Sequence, residues 1–218
     1  MTDTAVFEEG TRVLAKRDPV IADLLAKTGP IVLPQQTDSN FAALVRAITY
    51  QQLAGAAARA IFGRLVAALG DEVTPERLSR LTPADLRAAG LSGAKTASVL
   101  DLAAKTLDGS VSLDEASIAA ETDDEVIARL TTVRGIGPWT AEIFAMIHLG
   151  RPDVLPVGDL GIRKGYALGW KTEVPTEKQL LAIGEAYRPF RSVLSWYCWR
   201  ADELYGRAKP SAVTGGAI

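Results

Sequence analysis

The chemistry this chain can offer is concentrated in one short segment. Val133-Arg134-Gly135-Ile136-Gly137-Pro138 follows a stretch that opens with Thr122 and Glu125 at capping-box spacing and ends near Thr131. It precedes a second amphipathic stretch carrying Ala141, Phe144, Ala145 and Ile147. Gly135 and Gly137 allow a tight turn and let another backbone approach closely. Pro138 suits a first helical position. The N–H groups after Gly137, that of Thr140 among them, then stand at a helix N-terminus, where orphan donors and the dipole favour phosphate. The carbonyls of the turn, those of Thr131, Val133 and Ile136, are candidates to hold a monovalent cation, Na+ or K+, that bridges to phosphate. The same pattern also describes an ordinary corner between two helices, and the residues alone leave both readings open.

Other reactive side chains are few. His148 is the only histidine and Cys198 the only cysteine. A Ser-His triad, a two-histidine metal site, a disulfide framework and a four-cysteine zinc or iron–sulfur site therefore lack material. His148 suits the end of the second hairpin helix, and Cys198 a small apolar position on the last helix. Asp159, directly before Leu160, reads as an N-cap. Trp139, Phe190, Trp196, Tyr197 and Trp199 read first as core aromatics, and Leu53 as a core leucine. Gln51 and Gln52 can hydrogen-bond bases or cap a buried backbone group.

The elements that must position these residues are helical. Ala and Leu, both good helix formers, dominate. Phe41, Leu44, Val45 and Ile48 fall at i, i+3, i+4 and i+7 and predict one buried helix face. Ile61, Leu65 and Leu69 continue the pattern every four residues. Thr74-Pro75 and Thr82-Pro83 each place an N-cap before a proline, and Gly70, Gly90 and Gly150 read as stops. The pattern predicts an all-α chain of about twelve short helices with no sheet, at 3–16, 19–27, 39–51, 55–69, 75–80, 83–89, 93–107, 122–131, 138–148, 160–168, 177–187 and 190–206. Ile31-Val32-Leu33, ended by Pro34, reads as an extended linker. Arg151–Gly158, with Pro152 and Pro156, reads as a structured connection, and Ala208–Ile218 as a loose tail.

With 218 residues, 48% of them hydrophobic, the chain can build one large domain or two small ones with a real core. No apolar run reaches membrane-spanning length, and the acidic start Met1–Gly10 is unlike a signal peptide, so a soluble cytoplasmic protein without a membrane partner is expected. A net charge of −2 and a pI near 5.6 count against wholesale nucleic-acid binding. The charge is uneven, however: residues 112–129 carry six acids against Arg129. Residues 188–209 carry Arg188, Arg191, Arg200, Arg207 and Lys209 against Asp202 and Glu203, enough for one basic face.

The hairpin segment resembles the helix-hairpin-helix of the DNA glycosylase superfamily, over about 122–148, followed by its Gly/Pro-rich loop and an essential aspartate. Ile48-Thr49-Tyr50-Gln51-Gln52-Leu53, Leu91-Ser92-Gly93-Ala94-Lys95, the twenty-residue step from Trp139 to Asp159, and Tyr187-Arg188-Pro189-Phe190-Arg191-Ser192 through Trp196 and Trp199-Arg200 are similar to blocks of the 3-methyladenine DNA glycosylase II (AlkA-type) family. The likeness spans roughly residues 38–205. It implies two helical subdomains, 37–156 with the hairpin and 157–218 packed with the N-terminal helices of 1–36, and a DNA-binding cleft between them. It implies a compact form without the extra N-terminal mixed α/β domain of larger members.

The resemblance also assigns roles. The implied reaction is hydrolysis of the N-glycosidic bond of an alkylated base in double-stranded DNA, by a monomer located with the nucleoid. Asp159 becomes the catalytic carboxylate, stabilising a cationic sugar and orienting or deprotonating water. Trp139, Phe190 and Trp196 become the base pocket, since electron-rich rings suit a cationic base. Leu53, with Gln52, becomes the wedge that fills the gap left by a flipped base. Gly135, Gly137 and Thr140 become the backbone-binding residues. Trp139 takes the place of the lysine that forms a Schiff base in bifunctional relatives, and no lysine lies between Leu130 and Arg163, which implies a monofunctional enzyme without lyase activity and with no required cofactor. Ile143 stands where some relatives have an aromatic pocket residue. The competing readings are a non-catalytic helix-hairpin-helix DNA-binding protein, which needs the glycine turn but neither Asp159 nor the aromatic set, and a helical scaffold.

Overall fold

The computed structural model describes residues 3–34 and 36–206. Residues 207–218, which include the expected loose tail, lie outside them. The helices are α1 (Asp3–Arg17), α2 (Pro19–Thr28), α3 (Asn40–Tyr50), α4 (Gly55–Ala68), α5 (Pro75–Ser79), α6 (Pro83–Ala88), α7 (Gly93–Leu107), α8 (Glu115–Ala120), α9 (Asp123–Leu130), α10 (Pro138–Ile143), α11 (Leu160–Trp170), α12 (Glu177–Gly184) and α13 (Arg191–Tyr205). A π turn, Phe144–His148, prolongs α10, and a 3-10 turn, Glu185–Tyr187, follows α12. No strand occurs among the described residues. Capping chemistry sets many of the starts: Thr82 with Asp85, Thr122 with Glu125 and Thr176 with Gln179 each form a complete capping box.

The chain divides into two compact units, Pro34–Leu149 and the pair Met1–Leu33 with Gly150–Ile218. The division therefore falls at Gly150, several residues before the boundary expected after residue 156. The segment Gly150–Pro156 belongs with the unit of Asp159, because Leu155 joins that unit's core and Val154 exchanges hydrogen bonds with Ser192.

In the Pro34–Leu149 unit, the predicted stripe Phe41, Leu44, Val45 and Ile48 is buried, together with Leu65, Leu78, Leu86, Leu102, Val126, Leu130 and Phe144. α7 runs through this core on Val99 and Leu102 and keeps a polar face for other contacts.

In the second unit, α1 and α2 close over α11 and α13 around Phe7, Leu14, Ile21, Leu24, Ile162, Tyr166, Leu194 and Tyr197. α11 and α13 meet backbone to backbone: a Cβ on Gly165 would collide with the carbonyl oxygen of Cys198. The Cys198 thiol is fully buried there, and burial drives its pKa well above the ordinary thiol value. Asp18 caps α2 through Val20 N–H at 2.8 Å and accepts from Trp170 Nε1 at 2.9 Å and the Tyr187 hydroxyl at 2.6 Å, so one carboxylate joins three elements.

Candidate functional site

Between α9 and α10 the chain makes two successive tight turns. Val133 N–H donates to the Leu130 carbonyl and Ile136 N–H to the Val133 carbonyl, both at 3.1 Å. Gly135 takes φ +79°, and a Cβ there would overlap Ser98 Oγ, so both the backbone and the neighbouring α7 require glycine. Gly137 is the N-cap of α10, and nothing lies within 4 Å of the place its Cβ would take, which leaves that side of the turn open. α7 holds the turn from behind. Asp101 accepts Arg134 N–H at 2.7 Å, and Lys105 donates to the Thr132 carbonyl and, at 3.0 Å, to Asp101.

A cavity of about 600 Å³ opens beside α10. Trp139, Tyr50 and Phe144 give it aromatic walls, Ala47, Ile143 and Ile147 aliphatic ones, and Gln51, Gln52 and Thr140 its polar atoms; none of these side chains is charged. Trp139 is 48% exposed, unusual for a tryptophan serving only a core. Tyr50 is steadied edge-on by Phe62, ring centroids 6.2 Å apart. Phe144 stacks on His148 at 4.9 Å, and the imidazole in turn bridges Gln36 and Asn40 at 2.7 and 3.0 Å. The π turn supplies Phe144 and Ile147 to the cavity wall.

The loop 51–54 joins α3 to α4 at the rim of this cavity. Gln52 adopts φ +56°, a left-handed conformation that costs a non-glycine residue about 1 kcal/mol or more. Leu53 is 38% exposed, so the core-leucine reading fails: this leucine points to solvent from a turn.

In the other unit, Asp159 is the N-cap of α11. Its Oδ1 accepts Ile162 N–H at 2.9 Å and Trp199 Nε1–H at 3.4 Å. Gly161 leaves room for the indole; a Cβ there would lie 3.1 Å from that oxygen and 3.5 Å from the Trp199 ring. The loop leading to Asp159 is clamped by the start of α13. Ser192 Oγ donates to the Arg151 carbonyl at 2.7 Å and accepts Val154 N–H at 3.0 Å, while Arg191 grips the Asp153 carboxylate at 2.9 and 3.1 Å.

Residues 45–189, more than half of the chain, match the family model of the HhH-GPD superfamily base excision DNA repair proteins. The chain belongs to that superfamily. It is 36% identical over 170 residues to DNA-3-methyladenine glycosylase 1 of Schizosaccharomyces pombe, covering 77% of this chain and 74% of that one. Among solved structures, a DNA-3-methyladenine glycosidase from Bacillus halodurans superposes with a TM-score of 0.82 at 32% identity, over 91% of both chains. The S. pombe 3-methyladenine DNA glycosylase (Mag1) in complex with abasic DNA gives 0.78 at 31% identity, over 92% of this chain and 100% of that one.

In this HhH-GPD chain the expected site residues fall into two groups. Gly135, Gly137, Trp139, Gln52 and Leu53 lie on the hairpin, the cavity and its rim loop. Phe190 and Trp196 do not line that cavity; they pack against the core of the Asp159 unit, Phe190 on Gly10 of α1 and Trp196 under the guanidinium of Arg200 at 5.4 Å. Tyr197 is fully buried, its hydroxyl 3.3 Å from the Gly29 carbonyl. The Thr140 side chain is 8% exposed and its hydroxyl accepts Gln51 Nε2 at 3.3 Å, so its main-chain N–H is the group it offers to a phosphate. The expected basic face is also reduced, since Arg188 and Arg191 pair with Asp153 and Arg200 pairs with Glu203. Of the carbonyls expected to hold a monovalent cation, that of Val133 accepts Ile136 N–H and keeps a second lone pair. Sequence reasoning missed Tyr50, Ala47, Phe144 and Ile147 as cavity residues. The signal was the 140, 143, 144, 147 spacing along one helix face, beside the Ile48–Leu53 block already singled out.

Proposed function

We propose that this chain is a monofunctional DNA glycosylase that extrudes alkylated bases of the 3-methyladenine type from duplex DNA and hydrolyses their N-glycosidic bond. The observation that carries the reading is the cavity beside α10. It is aromatic, uncharged and large enough for a purine, and it flanks a turn whose open side and N-terminal N–H groups suit a phosphate. A base alkylated at a ring nitrogen is a cation, matched by the faces of Trp139, Tyr50 and Phe144. It departs without a protonating group, in keeping with walls that carry no acid. Phe190 and Trp196 remain candidates for further base contacts. The names of the similar proteins point the same way.

Asp159 is the residue we assign to the sugar. The bond from C1′ to the base nitrogen breaks, the electron pair leaves with the base and cancels its charge, and C1′ becomes cationic. A fixed carboxylate stabilises that charge and takes a proton from the water whose oxygen bonds to C1′. Leu53, with Gln52, would fill the vacated stack. With Trp139 where a Schiff-base lysine would stand, hydrolysis leaves an intact abasic site. A Na+ or K+ ion on the carbonyls of Thr131, Val133 and Ile136 would add positive charge beneath a bound phosphate. The protein would act as a monomer.

Asp159→Asn tests the assignment. Asn caps a helix about as well as Asp, so folding and duplex binding should persist while excision of 3-methyladenine falls by about 10²- to 10³-fold. Abasic-site formation across duplexes carrying one defined lesion each is the measurement. A folded Asn variant at near wild-type rate overturns the assignment. A wild-type protein that binds duplex yet excises none of the lesions is instead a non-catalytic DNA-binding protein.

A further inference from the structure

Lys95 has no part in the reading above, yet its side chain reaches the loop that carries Gln52 and Leu53. Its ammonium donates to the carbonyls of Thr49 at 2.6 Å and Gln51 at 2.9 Å, at the end of α3. A cation there also meets the negative end of the helix dipole. Burial pushes its pKa down, so holding an ammonium at this place carries a desolvation cost. Gln51 makes a second tie in the opposite direction: its carboxamide donates to the Gly135 carbonyl at 3.0 Å and to Thr140 Oγ1 at 3.3 Å. Between these ties sits the left-handed backbone of Gln52, a conformation that persists only where its surroundings over-determine it. α7 completes the arrangement. Lys95 holds the loop, Ser98 abuts Gly135, Asp101 holds Arg134 N–H and Lys105 holds the Thr132 carbonyl.

We infer that Lys95 is a positioning residue for base extrusion: with Gln51 it latches the 51–54 loop to the hairpin turn, so that seating the turn on the DNA backbone and inserting Leu53 occur as one rigid movement. The role rests on the glycosylase reading. A slack loop would have to be ordered at the moment of insertion, which slows extrusion and leaves backbone binding alone.

Lys95→Met removes the three donors and keeps the apolar stem; Lys95→Arg keeps donors. The first measurement is the backbone order parameter of Gln52 and Leu53 by NMR relaxation on the free protein. It should be near 0.85 in wild type and Lys95→Arg, and fall below about 0.6 in Lys95→Met, with the interiors of α3 and α4 unchanged. The second is single-turnover excision of 7-methylguanine. Lys95→Met should lose about tenfold opposite cytosine, less than about twofold in a mismatch, and nothing further when added to Leu53→Ala. Unchanged order parameters overturn the latch whatever the kinetics, as do equal losses on both substrates that add to those of Leu53→Ala. If the loop loosens as expected but wild type excises no lesion, the latch stands and the glycosylase reading falls.

Discussion

Gly135 has two independent reasons to be glycine, and they can be separated. Alanine there would hold φ +79°, at about 1–2 kcal/mol, and would press its Cβ into Ser98, an overpacking cost of about 1–3 kcal/mol. Gly135→Ala should therefore lose about 2–5 kcal/mol in chemical denaturation, and adding Ser98→Ala should restore part of it, because the hydroxyl goes and the backbone strain stays. Full restoration would show that the turn tolerates alanine. The need for glycine was legible in the sequence from the Gly-Ile-Gly spacing; the part played by Ser98, 37 residues earlier, was not, because no local pattern predicts which helix packs behind a turn. Asp159 shows a similar limit. Its capping role follows from its place before Leu160, whereas the indole of Trp199 over its Oδ1 depends on two helices meeting.

At the scale of elements, α7 is the member that orders the Pro34–Leu149 unit. One face enters the core and the other carries Lys95, Ser98, Asp101 and Lys105. Burial works to raise the Asp101 pKa, but the Arg134 N–H and the Lys105 ammonium outweigh it and hold the carboxyl below its ordinary value of 3.8. The stability it contributes is complete above that value and is lost as pH falls through the lower folded one. Asp101→Asn should thus be less stable than wild type at neutral pH, and the gap in urea midpoints should narrow as pH drops below 3.8. A gap that stays constant with pH would remove the charge from the account. Helix starts were the legible part of the elements, since Thr74, Thr82 and Thr122 cap as expected. α8 went unseen because its six residues span under two turns and expose most of their surface, burying only Ile118. The π turn went unseen because nothing in Phe144–His148 breaks ordinary helical periodicity.

For the whole molecule, the all-helical architecture was expected from the apolar spacing and capping signals and the pairing of the N-terminal helices with the C-terminal ones from the family likeness, while the boundary at Gly150 depends on long-range contacts such as Val154 with Ser192. Each unit has its own core, and only the one containing α13 holds a thiol. Iodoacetamide should accordingly leave Cys198 unmodified in native buffer and label it at a rate set by the opening of that unit. The free energy of opening so obtained should match that from circular dichroism if the two units unfold together, and fall below it if they do not; labelling at the rate of a free thiol in native buffer would contradict the packing. The burial of this sulfur has a second consequence. Electrophiles that methylate purines also attack soft nucleophiles in proteins, and a thiolate is the softest a chain of this kind can present. By keeping its single sulfhydryl protonated between two touching helices, the protein withholds that target from the same reagents whose damage it is proposed to repair, and its working lifetime during chemical stress becomes a matter of how seldom α11 and α13 part.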